Sequence, residues 1–588
     1  MNDTTKPHWR RSLGRRGLLR QWGSAVVGAT LALTLQTAPL WATTIPVTTS
    51  DPAIQAGDNK CSLSEALINA NNDNQSGATD CPAGNGADTL VLAGGRYTIS
   101  ALHNNTDGPN GLPSITSMIV ISGNGATLER AGTAAAFRIL HVAQGGNLTL
   151  QQTTLTGGHA ASSNLAARYH YGGALYNQGT VTLQSCTISG NQADLDGGGI
   201  ANYGTLTVMD STINGNVAGR DGGGVINNGF THTSSVTLLN STVSGNTAGR
   251  DGGALANFAY RSTGQLTVTQ STLTGNQATR DGGGLVTDAT TTLARSIVSG
   301  NTAVTGAEVQ RNGHTLNVNA FNLFGQNALT TAVALNNVTP GANDRVATSN
   351  GAQATALATI LNGTLADNGG ATQTHALPVG SPAIDVIPPA QCSDVPVDQR
   401  GVARPQGAAC DIGALEFQAT QLISPQLALQ GAPSVLYQPT PDATFGPQSP
   451  AGVFTINATL VNTGTFHLHS IYYQVTRLDN KNYLLDTTGG PGGVAARQPV
   501  ADPLLPGGNQ RWDTQESLTA AFRIGLAERR RFGFFVDVYG LTDSRLTSAQ
   551  TATANDIRLG GFYFEYDPND FVGQVPGARQ NFLPLLFR

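Results

Sequence analysis

Ser211-Thr-Ile-Asn-Gly-Asn216 returns as Ser241-Thr-Val-Ser-Gly-Asn246 and Ser271-Thr-Leu-Thr-Gly-Asn276, with looser copies at Cys186-Thr-Ile-Ser-Gly-Asn191 and Ser296-Ile-Val-Ser-Gly-Asn301. The closing asparagines lie 25, 30, 30 and 25 residues apart. A second marker, Asp-Gly-Gly-(Gly/Ala), opens at Asp196, Asp221, Asp251 and Asp281 with spacings of 25, 30 and 30. A fixed period of this length is the mark of a solenoid. Between the markers lie short alternating runs such as Thr205-Leu-Thr-Val208, which read as half-buried strands. No repeat holds a stretch long and periodic enough for a helix. About 25 residues suit three short strands and three turns, one coil of a parallel β-helix whose coils stack about 4.8 Å apart.

The alternation supplies the core. Leu150, Leu183, Val208, Leu238, Val268 and Leu293 share one repeat position and are expected to form an inward column. Leu155, Ile188, Ile213, Val243, Leu273 and Val298 make a second, and Leu175, Ile200, Val225, Leu255 and Leu285 a third. Cys186 falls in the column of Ser211, Ser241, Ser271 and Ser296, which predicts a small, buried, inert thiol. Asn191 to Asn301 should stack as one amide ladder and Asn177, Asn202, Asn227 and Asn257 as another, satisfying turn polar groups along the axis.

Composition agrees. The 588 residues include Gly 72 and Pro 27, yet only 12% are charged, about half of what globular domains carry. Coiled coils, helical bundles, charged disordered tails and collagen are excluded on these grounds. The fold class expected is all-β: a parallel β-helix followed by a β-sandwich.

Residues 1–42 read as an export signal: five arginines between Arg10 and Arg20, a mild apolar run from Gly23 to Leu35, then Trp41-Ala42. Gly14 to Arg20 resembles a twin-arginine signal with Gly14 where Ser or Thr is usual, so that route and the general secretory one both stand. A basic cytosolic tail is the bland alternative. Removing the segment takes the net charge from −5 to −10, which argues against a nucleic-acid partner. Cys61 and Cys81, and Cys392 and Cys410, are close pairs that read as two local disulfides, each worth on the order of 3 kcal/mol.

Three stretches resemble known families. Cys61-Ser-Leu-Ser-Glu-Ala-Leu-Ile-Asn-Ala-Asn71, followed by Asp80-Cys-Pro-Ala-Gly84, is similar to the CSLREA domain, with Ser64 in place of its usual Arg. Asp367-Asn-Gly-Gly370, Thr372-Gln-Thr-His375, Gly380 to Asp385, Asp398-Gln-Arg-Gly401 and Cys410 to Glu416 follow in order and resemble the choice-of-anchor Q domain. The repeats between resemble those of polymorphic outer membrane proteins and the pectate-lyase-like superfold. These resemblances imply a secreted or surface-attached right-handed β-helix, usually without an assigned activity.

The organisation expected is an export signal at 1–42, a CSLREA-like segment with capping coils at 43–115, and β-helix repeats at 116–330. The anchor-Q-like end of the helix follows at 331–418, and an immunoglobulin-like sandwich at 425–588. Phe582 to Phe587 reads as a last strand or a sorting signal.

Chemistry is sparse. Asp196, Asp221, Asp251 and Asp281 form a column with Arg220, Arg250 and Arg280 beside them. Four stacked carboxylates suit Ca²⁺, and an arginine nearby suits lyase-type proton abstraction. The simpler reading is an exposed ion ladder in which each Asp meets an Arg of its own or a neighbouring coil. Calcium is the one cofactor entertained, and no catalytic residue is assigned. The five extra residues of the 30-residue coils bring Phe230, His232, Phe258, Tyr260 and Arg261 to one corner, beside Tyr203 and the Tyr169-His170-Tyr171 insertion. Aromatics on a solenoid face suit a glycan or protein contact, with loop decoration as the plain reading. The function expected is a non-enzymatic, adhesin-like scaffold, extracellular or at the cell surface, that binds a polysaccharide or surface protein as a monomer. The alternative is a carbohydrate-active β-helix enzyme, a polysaccharide lyase or hydrolase.

Overall fold

The computed structural model describes residues 42–161, 170–230, 233–259, 262–318, 320–419, 421–422, 426–464, 467–488, 490–500, 505, 512–542 and 561–571. The export segment up to Trp41 and Phe582 to Phe587 lie outside them.

The repeats form a parallel β-helix. One rung runs through Ile200–Asn202, Thr205–Met209, Thr212–Asn214 and Val217–Ala218 before the next begins at Val225. Every rung-to-rung pairing in this region is parallel and in register. The rung therefore has four strands rather than the three expected, because one side is bent. Asp210 adopts φ 50°, and Ser185, Asn240, Gln270 and Arg295 take the same left-handed conformation at the same place. The two strands flanking this bend are a first and a second arm of one wide sheet. Non-glycine residues are rare there, and side-chain bonds described below hold Asn240, Gln270 and Arg295.

Leu150, Leu183, Val208, Leu238, Val268 and Leu293 pair rung to rung and are each at most 1% exposed. Each such aliphatic contributes about 1.5–3 kcal/mol. Cys186 is buried and unpaired, and burial pushes its thiol up to about 12. The glycines of Asp-Gly-Gly have distinct causes. Gly252 has φ +70°, and a Cβ on Gly253 would lie 2.5 Å from the carbonyl oxygen of Gly283 on the next rung.

Both amide ladders form. Asn216 donates from its backbone N–H (3.0 Å) and its side-chain amide (2.9 Å) to Oδ1 of Asn246, and Asn246 repeats this toward Asn276. The ladder ends on Glu308, whose Oε2 accepts from the Asn301 amide at 2.7 Å. Burial nonetheless pushes the Glu308 carboxyl up to about 8. On the other corner Asn177, Asn202 and Asn227 each donate to the next asparagine at 2.7–2.8 Å.

A helix at Leu63–Asn72 was not foreseen from the sequence, although Ser62-x-x-Glu65 is a capping box and both its hydrogen bonds form. Leu63, Ala66, Leu67 and Ala70 join the same core as the rungs. Asn69 accepts from Gly77 N–H and donates to the carbonyls of Ala78 and Pro82. The CSLREA-like residues are thus spent on building the helix and its loop, stapled by the Cys61–Cys81 disulfide.

Among the described residues no rung is added beyond Arg345–Val346. The chain from about residue 362 to 417 lies instead against the outer side of the second arm as a strap. Thr212 Oγ1 donates to the Gln373 carbonyl at 2.6 Å, Thr242 Oγ1 to Gln399 Oε1 at 2.7 Å, and Ala414 N–H to Thr272 Oγ1 at 3.1 Å. The left-handed bend residues hold its edge: Asn240 donates to the Val397 carbonyl, Gln270 to that of Asp411, and Arg295 pairs with Asp394. Inside the strap, Arg404 reaches Glu416 at 2.8 Å with both side chains fully buried, and Arg400 pairs with Asp398 at 2.7 Å. Cys392–Cys410 is bonded. The anchor-Q-like motifs are the strap's fastenings.

The described residues after the strap form an antiparallel β-sandwich. Val453–Asn462 and Ser517–Gly525 pair in one five-stranded sheet, and Leu468–Leu478 and Phe532–Thr542 in the other. Between them lie Trp512, Phe454, Phe522 and Phe534, all at most 1% exposed.

Two expectations follow. Replacing Asn246 by Leu strands two donors of Asn216 and should cost about 2–4 kcal/mol in denaturant unfolding, given roughly 1–3 kcal/mol per orphaned buried group. Burial and the neighbouring Glu416 push Asp411 up to about 7 from 3.8. A raised carboxyl favours the fold at low pH and loses that contribution as pH rises from 3.8 to about 7. Protease cleavage within 362–417 should therefore be faster at pH 8.5 than at pH 5.5, with Asp411→Asn flattening the difference.

Candidate functional site

Each Asp-Gly-Gly turn places its aspartate at the start of a rung, and Asp221, Asp251 and Asp281 bridge one another in parallel register. Every arginine leans back one rung. Arg220 Nε donates to Asp196 at 2.7 Å, Arg250 Nε to Asp221 at 2.8 Å, and Arg280 Nε to Asp251 at 2.9 Å. In each pair the second guanidinium nitrogen meets the other carboxylate oxygen, completing a two-point contact. Each arginine also faces the aspartate of its own rung, at 3.7, 3.3 and 3.0 Å. Acids and bases alternate as one staircase from Asp196 to Asp281.

The staircase is not the exposed ladder the sequence suggested. The side chains of Asp196, Asp221 and Asp251 are only 1–3% exposed, whereas the arginines stand 37–56% in solvent. Burial pushes Asp221 and Asp251 above the usual carboxylate range, with their arginines opposing it. The hydrogen bond to Asp196 drives Arg220 further up. Both oxygens of Asp196, Asp221 and Asp251 are aimed at guanidinium groups, so a cation would have to displace an arginine to reach them. Among the described residues no group of three or more His, Cys, Asp or Glu gathers to hold a metal ion.

Of the aromatic corner, Tyr203, Phe230 and Phe258 lie among the described residues, while Tyr169, His232, Tyr260 and Arg261 fall outside them. Phe230 is 41% exposed and Phe258 only 4%. Tyr203 is stacked on Tyr171 at 5.8 Å and meets Tyr176 edge-on at 5.4 Å. Tyr176 stacks on His141 at 5.7 Å, and the Arg138 guanidinium lies 4.9 Å from its ring. Tyr171 reaches Arg220 at 3.5 Å, which joins the cluster to the foot of the staircase. The sequence reading passed over His141, Arg138 and Tyr176. The in-register pairing of His141 with Tyr176, and of Tyr176 with Ala201, places His141 and Tyr176 on one column, which the repeat alignment could have shown.

One further pair has the look of chemistry. Ser244 Oγ lies 2.8 Å from His375 Nε2, and His375 Nδ1 is 2.7 Å from the Asn362 carbonyl. Both side chains are buried, 6% and 4% exposed, beneath the strap, and burial pushes His375 below its ordinary value. It is a neutral fastening between strap and sheet.

Removing either partner of the staircase should reveal its asymmetry. Arg250→Met leaves a buried carboxylate short of its main partner, whereas Asp221→Asn leaves an arginine that water can reach. The arginine variant should lose about 1–3 kcal/mol more in denaturant unfolding than the aspartate variant.

No family model and no curated protein matches the chain. Among solved structures it is similar to pectate lyase Pel9A, with 15% identity and a TM-score of 0.36 over 64% of this chain and 98% of that one. A second likeness is to the enzymatically active domain of bacteriophage CBA120 tailspike protein 4, with 10% identity and a TM-score of 0.20 over 82% of this chain and 63% of that one.

Proposed function

We propose that the chain is an exported β-helix scaffold of the kind its CSLREA-like and anchor-Q-like motifs resemble, displayed outside the cell to bind a glycan or a surface protein rather than to transform it. The observation that carries this reading is the pairing of the staircase. Its acids and bases are spent on one another: each arginine is held protonated by a carboxylate, and each buried carboxylate is capped by an arginine. A lyase needs a base free to take a proton from the substrate. The motif residues resembling the two families are likewise occupied with the cap and the strap. Two disulfides support a life in an oxidising compartment.

The test is to apply the chain lacking residues 1–42 to a glycan array and to a panel of acidic and neutral polysaccharides. Release of unsaturated uronides and of reducing ends is followed alongside retention. Retention without product is expected. Product released by the native chain, and lost in a folded Asp221→Asn variant, would replace this reading with the carbohydrate-active one.

A further inference from the structure

The first arm of the wide sheet lies on the other side of the bend from the arm that the strap covers, and its outward threonines are exposed or half-buried. Its outward residues pair rung to rung as tightly as the core does. Thr149, Thr182, Thr207, Thr237, Thr267 and Thr292 form a single column over six rungs. Two residues earlier on each rung lie Thr180, Thr205 and Thr290 in register with Ser235 and Gln265. The column ends on Asn317 above and on Val120 below. All these threonines are exposed or half-exposed. Between Asn147 and Ala294 no outward position of this arm carries a charge, on a chain whose remainder is acidic.

Threonine is a good strand former, and that alone would explain a few of them. It does not explain a face free of Lys, Arg, Asp and Glu, which commonly populate exposed strands. The molecule also shows what such a column does when something lies on it. On the second arm the equivalent hydroxyls of Thr212, Thr242 and Thr272 are each engaged by an uncharged polar group of the strap. Hydroxyls on successive rungs there serve as hydrogen-bonding points for three separate uncharged groups, at Gln373, Gln399 and Ala414. The first arm repeats that row, about 4.8 Å per rung, on a flat rigid surface.

We propose that this first-arm threonine face is the binding surface of the scaffold and that its ligand is a neutral, extended polysaccharide lying along the axis of the solenoid. This rests on the binding reading above and names its site and ligand class. A column of one residue type over six rungs complements a polymer that repeats identically, which a peptide of varied side chains does not. The rung spacing is close to the advance of one hexose unit in an extended β-linked chain. The absence of charge selects neutral polymers, because polyuronates would find no cation here and would meet the acidic remainder of the molecule. Each hydroxyl contact is weak, and the array binds through their number.

The experiment compares the chain lacking residues 1–42 with two double variants on that background, Thr207→Val/Thr267→Val and Thr207→Glu/Thr267→Glu. The substitutions sit two rungs apart and keep their side chains in solvent. Circular dichroism and thermal unfolding establish that each is folded. Retention on microcrystalline cellulose, mannan and xylan is measured beside retention on polygalacturonate. The native chain should bind at least one neutral polymer and leave polygalacturonate unbound. The valine pair should weaken that binding about tenfold, since it removes two hydrogen bonds, and the glutamate pair should abolish it. Variants that bind a neutral polymer as well as the native chain does would overturn the assignment of the face while leaving the binding reading intact. Binding to polygalacturonate alone would overturn the neutral class. A native chain that elutes as a dimer, and as a monomer once the glutamates are present, would show that the face joins two copies. No retention on any polymer or array would remove the binding reading itself.

Discussion

A stacked rung must tolerate its own copy as a neighbour. At about 4.8 Å per rung, a side chain that the repeat conserves in register meets its own kind above and below. Three solutions recur along this molecule. Aliphatic residues satisfy the rule by packing, and they fill the inward columns. Asparagine satisfies it by being both donor and acceptor, so each amide gives to the next and receives from the last. Charge satisfies it only by alternating, and the staircase does this by setting each arginine back toward the aspartate of the preceding rung. The amide corners and the paired staircase are outcomes of this one constraint.

The constraint also explains what could be read from the sequence. Columns are legible because a repeat states each position several times, and the core, the ladders and the inert Cys186 all came from alignment of the copies. The fourth strand did not, since the bend that creates it uses Ser185, Asp210, Asn240, Gln270 and Arg295, residues with no shared type. What they share is a conformation. The helix at 63–72 was announced by its capping box but lies outside the repeats, where attention to periodicity does not reach.

The strap was hidden for a different reason. Its hydrogen bonds join residues far apart in the chain, 157 positions between Thr242 and Gln399 and 161 between Thr212 and Gln373, and nothing local marks such partners. The motifs that resemble the anchor-Q family were visible, but their use as fastenings was not. Depth was equally illegible: Asp196 and Arg220 look alike as surface charges in sequence, yet the carboxylate is buried and the guanidinium is not. Phe258 offers the same lesson, since an aromatic read from the sequence as loop ends the strand Leu255–Phe258 and lies 4% exposed.

The strap changes how the molecule would carry load. An unbraced solenoid is held at its end by one rung's worth of hydrogen bonds, and tension applied there can peel it open rung by rung. In this chain the backbone leaves the helical part at Phe417, whose N–H is held by Asp411, and the strap behind it is bonded to rungs at Thr212, Thr242 and Thr272 together. A pull on the C-terminal side therefore enters several rungs at once and loads their contacts in shear rather than one after another. Residues 362–417 act as a splice plate, sharing force across the stack before the last rung has to bear it.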